Sequence, residues 1–180
     1  MARALGFCLF DTALGACGIA WTADALAAVQ LPEASEDGTR RRLLRTTGEI
    51  EETAPPRFVA DAIARIRGLL EGARDDLADL PLDLEGVPGF HRRVYTIARA
   101  IPPGEVLTYG EVAQRLGEPG AARAVGQALG HNPFAPVVPC HRVLAAGGRS
   151  GGFSAEGGAL TKLKMLEIER ARFGGQPGLF

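Results

Sequence analysis

Prolines at positions 133, 136 and 139 constrain this chain more than any other feature. Each fixes φ and withholds a backbone donor, so residues 132–143 read as a stiff loop. The stretch between them, Phe134-Ala135-Pro136-Val137-Val138, is apolar and leads directly into Cys140-His141-Arg142-Val143. Such an approach holds Cys140 in a dry pocket rather than on a mobile loop. The thiolate is the reactive form of cysteine, and a free thiol is mostly protonated near neutral pH. An oriented imidazole next to it can accept that proton. A Cys-His pair alone says little, since most cysteines are buried small hydrophobes. Its surroundings must decide.

The chain has 180 residues, 46% hydrophobic and 23% charged, as expected of a soluble globular protein. No apolar run approaches the ~20 residues of a membrane span, so no membrane partner is expected. The apolar start ends at Asp11 and reads as a first strand, not a signal peptide. Cysteines 8, 17 and 140 make an odd set with no disulfide framework, which suits a reducing cytoplasm. Residues 1–90 carry 9 Lys+Arg against 15 Asp+Glu, and residues 91–180 carry 11 against 6. The second half is therefore the half suited to a phosphate backbone.

The first half reads as a small α/β unit. Phe7–Leu9 and Cys17–Trp21 flank a turn and predict a hairpin, with Ala25–Gln30 as a third strand. Residues 32–39 predict a loop, Arg40–Thr46 a short helix, and Ala54-Pro55-Pro56 its stop. Phe58–Glu71 carries a helical stripe of Ile63, Ile66 and Leu70. Residues 75–89, with four aspartates and two prolines, predict an irregular linker.

The second half is more regular. Phe90–Ala100 predicts a helix with Val94, Ile97 and Ala98 on one face, ended by Pro102-Pro103-Gly104. Thr108-Tyr109-Gly110-Glu111 is a capping box opening a helix buried through Val112, Ala113 and Leu116. After the turn Gly117-Glu118-Pro119-Gly120, a second short helix runs from Ala121 to Gly130. Two short helices about a glycine-containing turn suggest a helix-turn-helix. The second helix is slim, with Arg123 and Gln127 as its long side chains, one turn apart on the same face. That fits minor-groove contact with little base readout, plus one side chain able to enter the stack. Tight packing of the small residues against the first helix is the plainer reading.

Together Ala122-Arg123-Ala124-Val125-Gly126, Asn132-Pro133 and Pro139-Cys140-His141-Arg142-Val143 resemble the O6-alkylguanine-DNA alkyltransferases, the methylated-DNA–protein-cysteine methyltransferases, in order and spacing from about Phe90 to Glu169. The resemblance implies an α/β (α+β) fold: a ribonuclease-H-like amino-terminal domain over residues 1–86, a winged-helix-like, helix-turn-helix alkyltransferase domain over 87–175, and a tail at 176–180. It implies a monomer that acts on double-stranded DNA carrying O6-alkylguanine, with O4-alkylthymine as a second substrate to test, and uses no cofactor. The alkyl group passes once, irreversibly, to Cys140 after the damaged nucleotide is flipped out. His141 is implied as the base, acting through a water, and Glu169, seven residues after Lys162, as the carboxylate that orients it. Glu167 competes on the same helix, but two residues away it points elsewhere. Asn132 is implied as the hinge beside the active-site loop. Tyr109 is implied to help guanine leave and to crowd the phosphate of the flipped nucleotide. Arg123, with Ala122 and Gln127 beside it, is implied to contact DNA, Arg123 filling the vacated place in the duplex. Val143 is implied to line the guanine pocket.

The chain departs from the family after the nucleophile. Ala155-Glu156 stands where many members have a tyrosine-serine pair, and Phe153 and Ser154 are read as lining the pocket from a shifted position. The first 90 residues hold two cysteines and no histidine, too few for a four-ligand zinc, so no metal is expected. His131, just before Asn132, reads as a surface histidine. Three rivals compete. A lesion-flagging alkyltransferase-like protein has tryptophan where Cys140 stands. A plain helix-turn-helix regulator makes the Cys-His pair coincidence. A cysteine hydrolase leaves Arg123 and Tyr109 without roles.

Overall fold

Residues 3–146 and 158–172 are described by the computed structural model. Alternating apolar residues build an antiparallel meander in which β1 (Gly6–Thr12), β2 (Gly15–Trp21) and β3 (Leu26–Gln30) pair in that order. Gly15, at φ +121°, lets the first hairpin close through Ala13 and Leu14, in a region other residues resist. Both faces of the sheet are covered. Cys17, Ile19, Trp21 and Val29 join the main core, while Phe7, Ala20 and Ala28 meet Leu43 on the other side.

Leu43 belongs to α1 (Glu36–Thr47), which starts four residues before the expected Arg40 and shortens the loop predicted over 32–39. The reason is a cap: Ser35 Oγ accepts from the Gly38 amide at 3.0 Å, and Glu36 and Asp37 suit the positive end of the helix. The helix ends at Gly48, φ +80°, ahead of the proline pair. In α2 (Arg57–Leu69), Val59, Ile63, Ile66 and Leu69 turn into the core, each worth about 1.5–3 kcal/mol by burial.

Residues 70–88 are irregular, but they are not a free tether. Leu77 and Leu80 are buried. The Leu26 amide donates to Pro81 O and the Asp83 amide to Leu26 O, both at 2.8 Å, so the segment lies along β3. Arg65 clamps it by donating to both Asp75 and Asp79.

The second half begins with α3 (Gly89–Arg99). Its Tyr95 hydroxyl donates to Ala128 O at 2.9 Å and fixes α3 against α5 (Ala122–Gly130). β4 (Leu107–Thr108) runs into α4 (Tyr109–Arg115) through the capping box. Thr108 Oγ1 accepts from the Glu111 amide at 3.1 Å, and Glu111 Oε1 accepts from the Thr108 amide at 3.0 Å. Val112 and Ala113 are buried, and Leu116 is half-buried. β4 pairs in parallel with β5 (Val143–Leu144), Leu107 opposite Val143, which brings the start of α4 beside the Cys140 segment. The last described helix is α6 (Gly158–Ile168). One buried cluster runs from Phe10 to Met165, through both halves of this α+β fold. The Val29 amide of β3 donates to Pro133 O at 2.9 Å, tying the first sheet to the proline loop. Among the described residues no helix is long and apolar enough to cross a membrane.

Candidate active site

Cys140, His141 and Arg142 form one turn of 3₁₀ helix, entered from Pro139 at φ −82° and ψ 69°. Three successive residues of such a turn send their side chains in three directions, and here all three are buried. Cys140 is 5% exposed and sits in the apolar cluster with Phe134, Val137 and Val138. Burial pushes its thiol pKa up. A hydrogen bond with Asn132, the Lys162 charge and the amides of Cys140 and His141 pull it back only in part. The resting sulfur therefore holds its proton near neutral pH, and reaction requires a base to take it.

His141 Nε2 lies 2.7 Å from Glu169 Oε1, in the interior. Arg142 holds the same carboxylate from a second side: Nη2 donates to Oε1 at 2.7 Å, Nε to Oε2 at 3.0 Å, and Nη1 to Ile101 O at 2.7 Å. Burial alone would raise the Glu169 pKa, but His141 and Arg142 outweigh it and hold the carboxyl at about 2. Glu169 is therefore ionised. Burial lowers the His141 pKa against the pull of Glu169, so the ring is neutral near pH 7. A neutral imidazole has one donor and one acceptor. With a carboxylate at Nε2, the proton is assigned there and Nδ1 is the acceptor. Nδ1 is buried with no hydrogen-bond partner among the described residues. The turn that carries the thiol thus also carries an oriented, unoccupied base.

Asn132 braces the approach: Nδ2 donates to Val138 O at 2.8 Å, and Oδ1 accepts from the Phe134 amide at 2.9 Å. Lys162 is buried in α6. Its Nζ donates to Val143 O at 2.8 Å and lies 5.9 Å from the centre of the Tyr109 ring. Desolvation lowers its pKa to about 8. Tyr109, the first residue of α4, is half-buried, and burial raises its hydroxyl pKa. A side chain starting at Gly126 of α5 would meet that ring at 3.6 Å. Tyr109 therefore stands between α5 and the Cys140 turn. On α5, Arg123 and Gln127 are exposed and Ala122 is half-buried.

Cys140, His141, Glu169, Asn132, Val143 and Tyr109 are thus gathered in one place, while Arg123, Gln127 and Ala122 lie on the neighbouring helix. Glu167 is exposed. His131 is exposed too, bonded through Nδ1 to Gln127 O at 2.8 Å and stacked on His91. Phe153 and Ser154 lie outside the described residues. Two residues of the site went unassigned in the sequence. Arg142 is 1% exposed and Lys162 is 1% exposed. The one available signal was an arginine in the otherwise apolar run Val143-Leu144-Ala145 and Pro136-Val137-Val138 that flanks it. A charge there must find a buried partner.

Residues 89–171 match the family described as "6-O-methylguanine DNA methyltransferase, DNA binding domain". The chain is 46% identical over 118 residues to a methylated-DNA–protein-cysteine methyltransferase of Mycolicibacterium paratuberculosis, covering 66% of this chain and 69% of that one. It is 34% identical over 159 residues to the protein of that name from Methanothermobacter thermautotrophicus, covering 88% and 82%. A crystal structure of Mycobacterium tuberculosis OGT in complex with DNA superposes with a TM-score of 0.74 at 33% identity, over 92% of each chain.

Proposed function

The chain belongs to the methylated-DNA–protein-cysteine methyltransferase family, and on that premise we propose that it repairs DNA by direct reversal, with Cys140 accepting the alkyl group from O6-alkylguanine in a duplex. The observation that carries this reading is the buried His141–Glu169 contact at 2.7 Å on the turn that bears Cys140. It supplies a base whose second nitrogen is turned away from the carboxylate, on the residue that directly follows Cys140.

The chemistry follows from these residues. A base within a duplex hides its O6 substituent, so the nucleotide must swing out, at a cost of a few kcal/mol. Arg123, long and exposed on a slim helix, offsets part of that cost by occupying the gap. The Cys140 proton passes to His141 Nδ1 through a bridging water, and the resulting imidazolium is stabilised by Glu169. The sulfur then attacks the alkyl carbon in line with O6. The S–C bond forms as the C–O bond breaks, and the electron pair stays on the purine. The Tyr109 hydroxyl donates a proton to that purine, so guanine leaves neutral. The phenolate then takes a proton back from solvent and His141 releases the one it accepted, which closes the proton balance. Lys162 favours the thiolate by its charge and fixes Val143 O at the pocket wall.

Among the described residues the thioether so formed has no neighbouring group able to displace it, so each molecule reacts once. Titration with a duplex in which O6-methylguanine carries a labelled methyl should plateau at one label per protein, whatever the excess of DNA. Label continuing to leave the DNA past that point would contradict single turnover. A hydrolase gives that second outcome. Arg123→Ala should slow transfer by about tenfold or more, equivalent to roughly 1.4 kcal/mol, with a smaller loss against a lesion in single-stranded DNA, where no gap needs filling. Equal slowing on both substrates would remove Arg123 from that role.

A further inference from the structure

We infer that Arg74, in the amino-terminal half of the chain, is a positioning residue for the transfer reaction, holding the backbone of Glu169 and through it the orientation of His141. The inference rests on the functional reading above and adds a residue from outside the matched domain. Arg74 follows α2 and reaches across the fold. Its Nη1 donates to Glu169 O at 2.9 Å and to Pro103 O at 3.1 Å. A third segment closes on the same point. Gly104 adopts φ +92°, and its amide approaches Glu169 Oε2 at 3.5 Å. A Cβ at Gly104 would stand 2.6 Å from Arg74 Nη1 and 3.3 Å from Glu169 O. The turn after α3 is therefore shaped to let the guanidinium in.

The need for such a clamp is local. α6 ends at Ile168, Glu169 follows it, and Arg170 leaves the helix at φ +57°. The last carbonyls of a helix lack intrahelical partners, and its ends fray. The amides of Glu169 and Ala171 close back on Met165 O at 3.1 Å and Leu166 O at 2.9 Å, but among the described residues no backbone amide donates to the Glu169 carbonyl, which must find its donor elsewhere. A cationic donor on that carbonyl satisfies it and suits the negative end of the helix. Arg142 fixes the carboxylate, and Arg74 fixes the backbone that carries it. Among the described residues, the ionisable groups that act on His141 are Arg142 on its own turn, and Lys162 and Glu169 from the α6 side, with Cys140 beside it on the turn. Of these, Glu169 favours the imidazolium.

The test compares full-length wild type, Arg74→Met and Arg74→Lys in single-turnover methyl transfer as a function of pH, with duplex affinity and thermal midpoint measured alongside. Methionine keeps the apolar stem and removes the donors. Arg74→Met should lower the plateau rate about tenfold and move the acid limb of the profile to lower pH, because a loosened Glu169 holds the His141 proton less tightly. Duplex affinity should be unchanged, and Arg74→Lys should restore most of the rate and the position of the limb. An Arg74→Met profile matching wild type overturns the inference. So does a lower thermal midpoint with an unmoved acid limb, since that marks a purely structural tie. A wild-type protein that transfers no methyl would instead overturn the functional reading itself.

Discussion

Cys140→Ala abolishes methyl transfer, by about 10⁴-fold or more, and leaves duplex affinity within about twofold of wild type. The two halves of that expectation come from different facts. Transfer needs a polarisable atom that can bond to saturated carbon, and no other cysteine is placed to substitute. Cys8 and Cys17 lie on the first sheet, where burial raises their thiols to about 11 and about 12. Affinity is spared because Cys140 is 5% exposed and contributes almost no contact surface, whereas the exposed face of α5 is untouched. The small cavity left behind costs on the order of 1 kcal/mol, too little to unfold a domain. Cys140→Ser tests the same point without a cavity: it keeps shape and hydrogen bonding, yet its hydroxyl pKa is far too high for a neutral imidazole to deprotonate. Both variants should bind and fail. Measurable transfer by Cys140→Ser would place the acceptor elsewhere.

Glu169→Gln carries the second large effect, and it acts on stability as well as rate. Arg142 is 1% exposed and donates to the Glu169 carboxylate through Nε and Nη2, so loss of that carboxylate strands its guanidinium, at about 3–5 kcal/mol. The pH dependence follows from the depressed Glu169 pKa. The difference between its ordinary 4.5 and the folded value of about 2 corresponds to about 3 kcal/mol. That stability is fully present above pH 4.5 and is lost as pH falls through about 2. Wild type should therefore lose stability steeply on acidification across that window, and Glu169→Gln should show a flatter acid limb from a lower starting point. Transfer should fall as well, because His141 loses the anion that stabilises its protonated form. A double variant, Glu169→Gln with Arg142→Met, separates the two effects. It should regain stability by removing the stranded charge, while transfer stays low. Recovery of transfer in the double variant would mean that Glu169 serves the fold alone.

Much of the site was legible in the sequence because its chemistry is local. The proline-stiffened approach, the adjacent Cys140 and His141, and the capping box at Thr108 each involve residues within a few positions of one another. Local backbone rules decide such features. The family of the chain was legible for a related reason, since its motifs fall in one contiguous half. What escaped was long-range. Arg142 has no role of its own in the sequence reading, because its partner, 27 residues on, is brought to it only by the fold. Lys162 served only as a spacing marker, because nothing in sequence says that a helical lysine points inward to Val143 O. In the first half, α1 starts before the expected Arg40 because Ser35, in a stretch that reads as a loop, is followed by two acids and caps the helix. Residues 75–89 looked like a linker from their aspartates and prolines. Arg65 and the Leu26 backbone hold them against the sheet, and neither partner is near in sequence.

The most direct test digests the protein after reaction with a duplex containing one O6-methylguanine and locates the added methyl by peptide mass spectrometry. The account predicts a single methyl on the sulfur of Cys140, unmodified Cys8 and Cys17, and a duplex restored to ordinary guanine. A methyl found on another residue, or a lesion that disappears with no methyl on the protein, would contradict it.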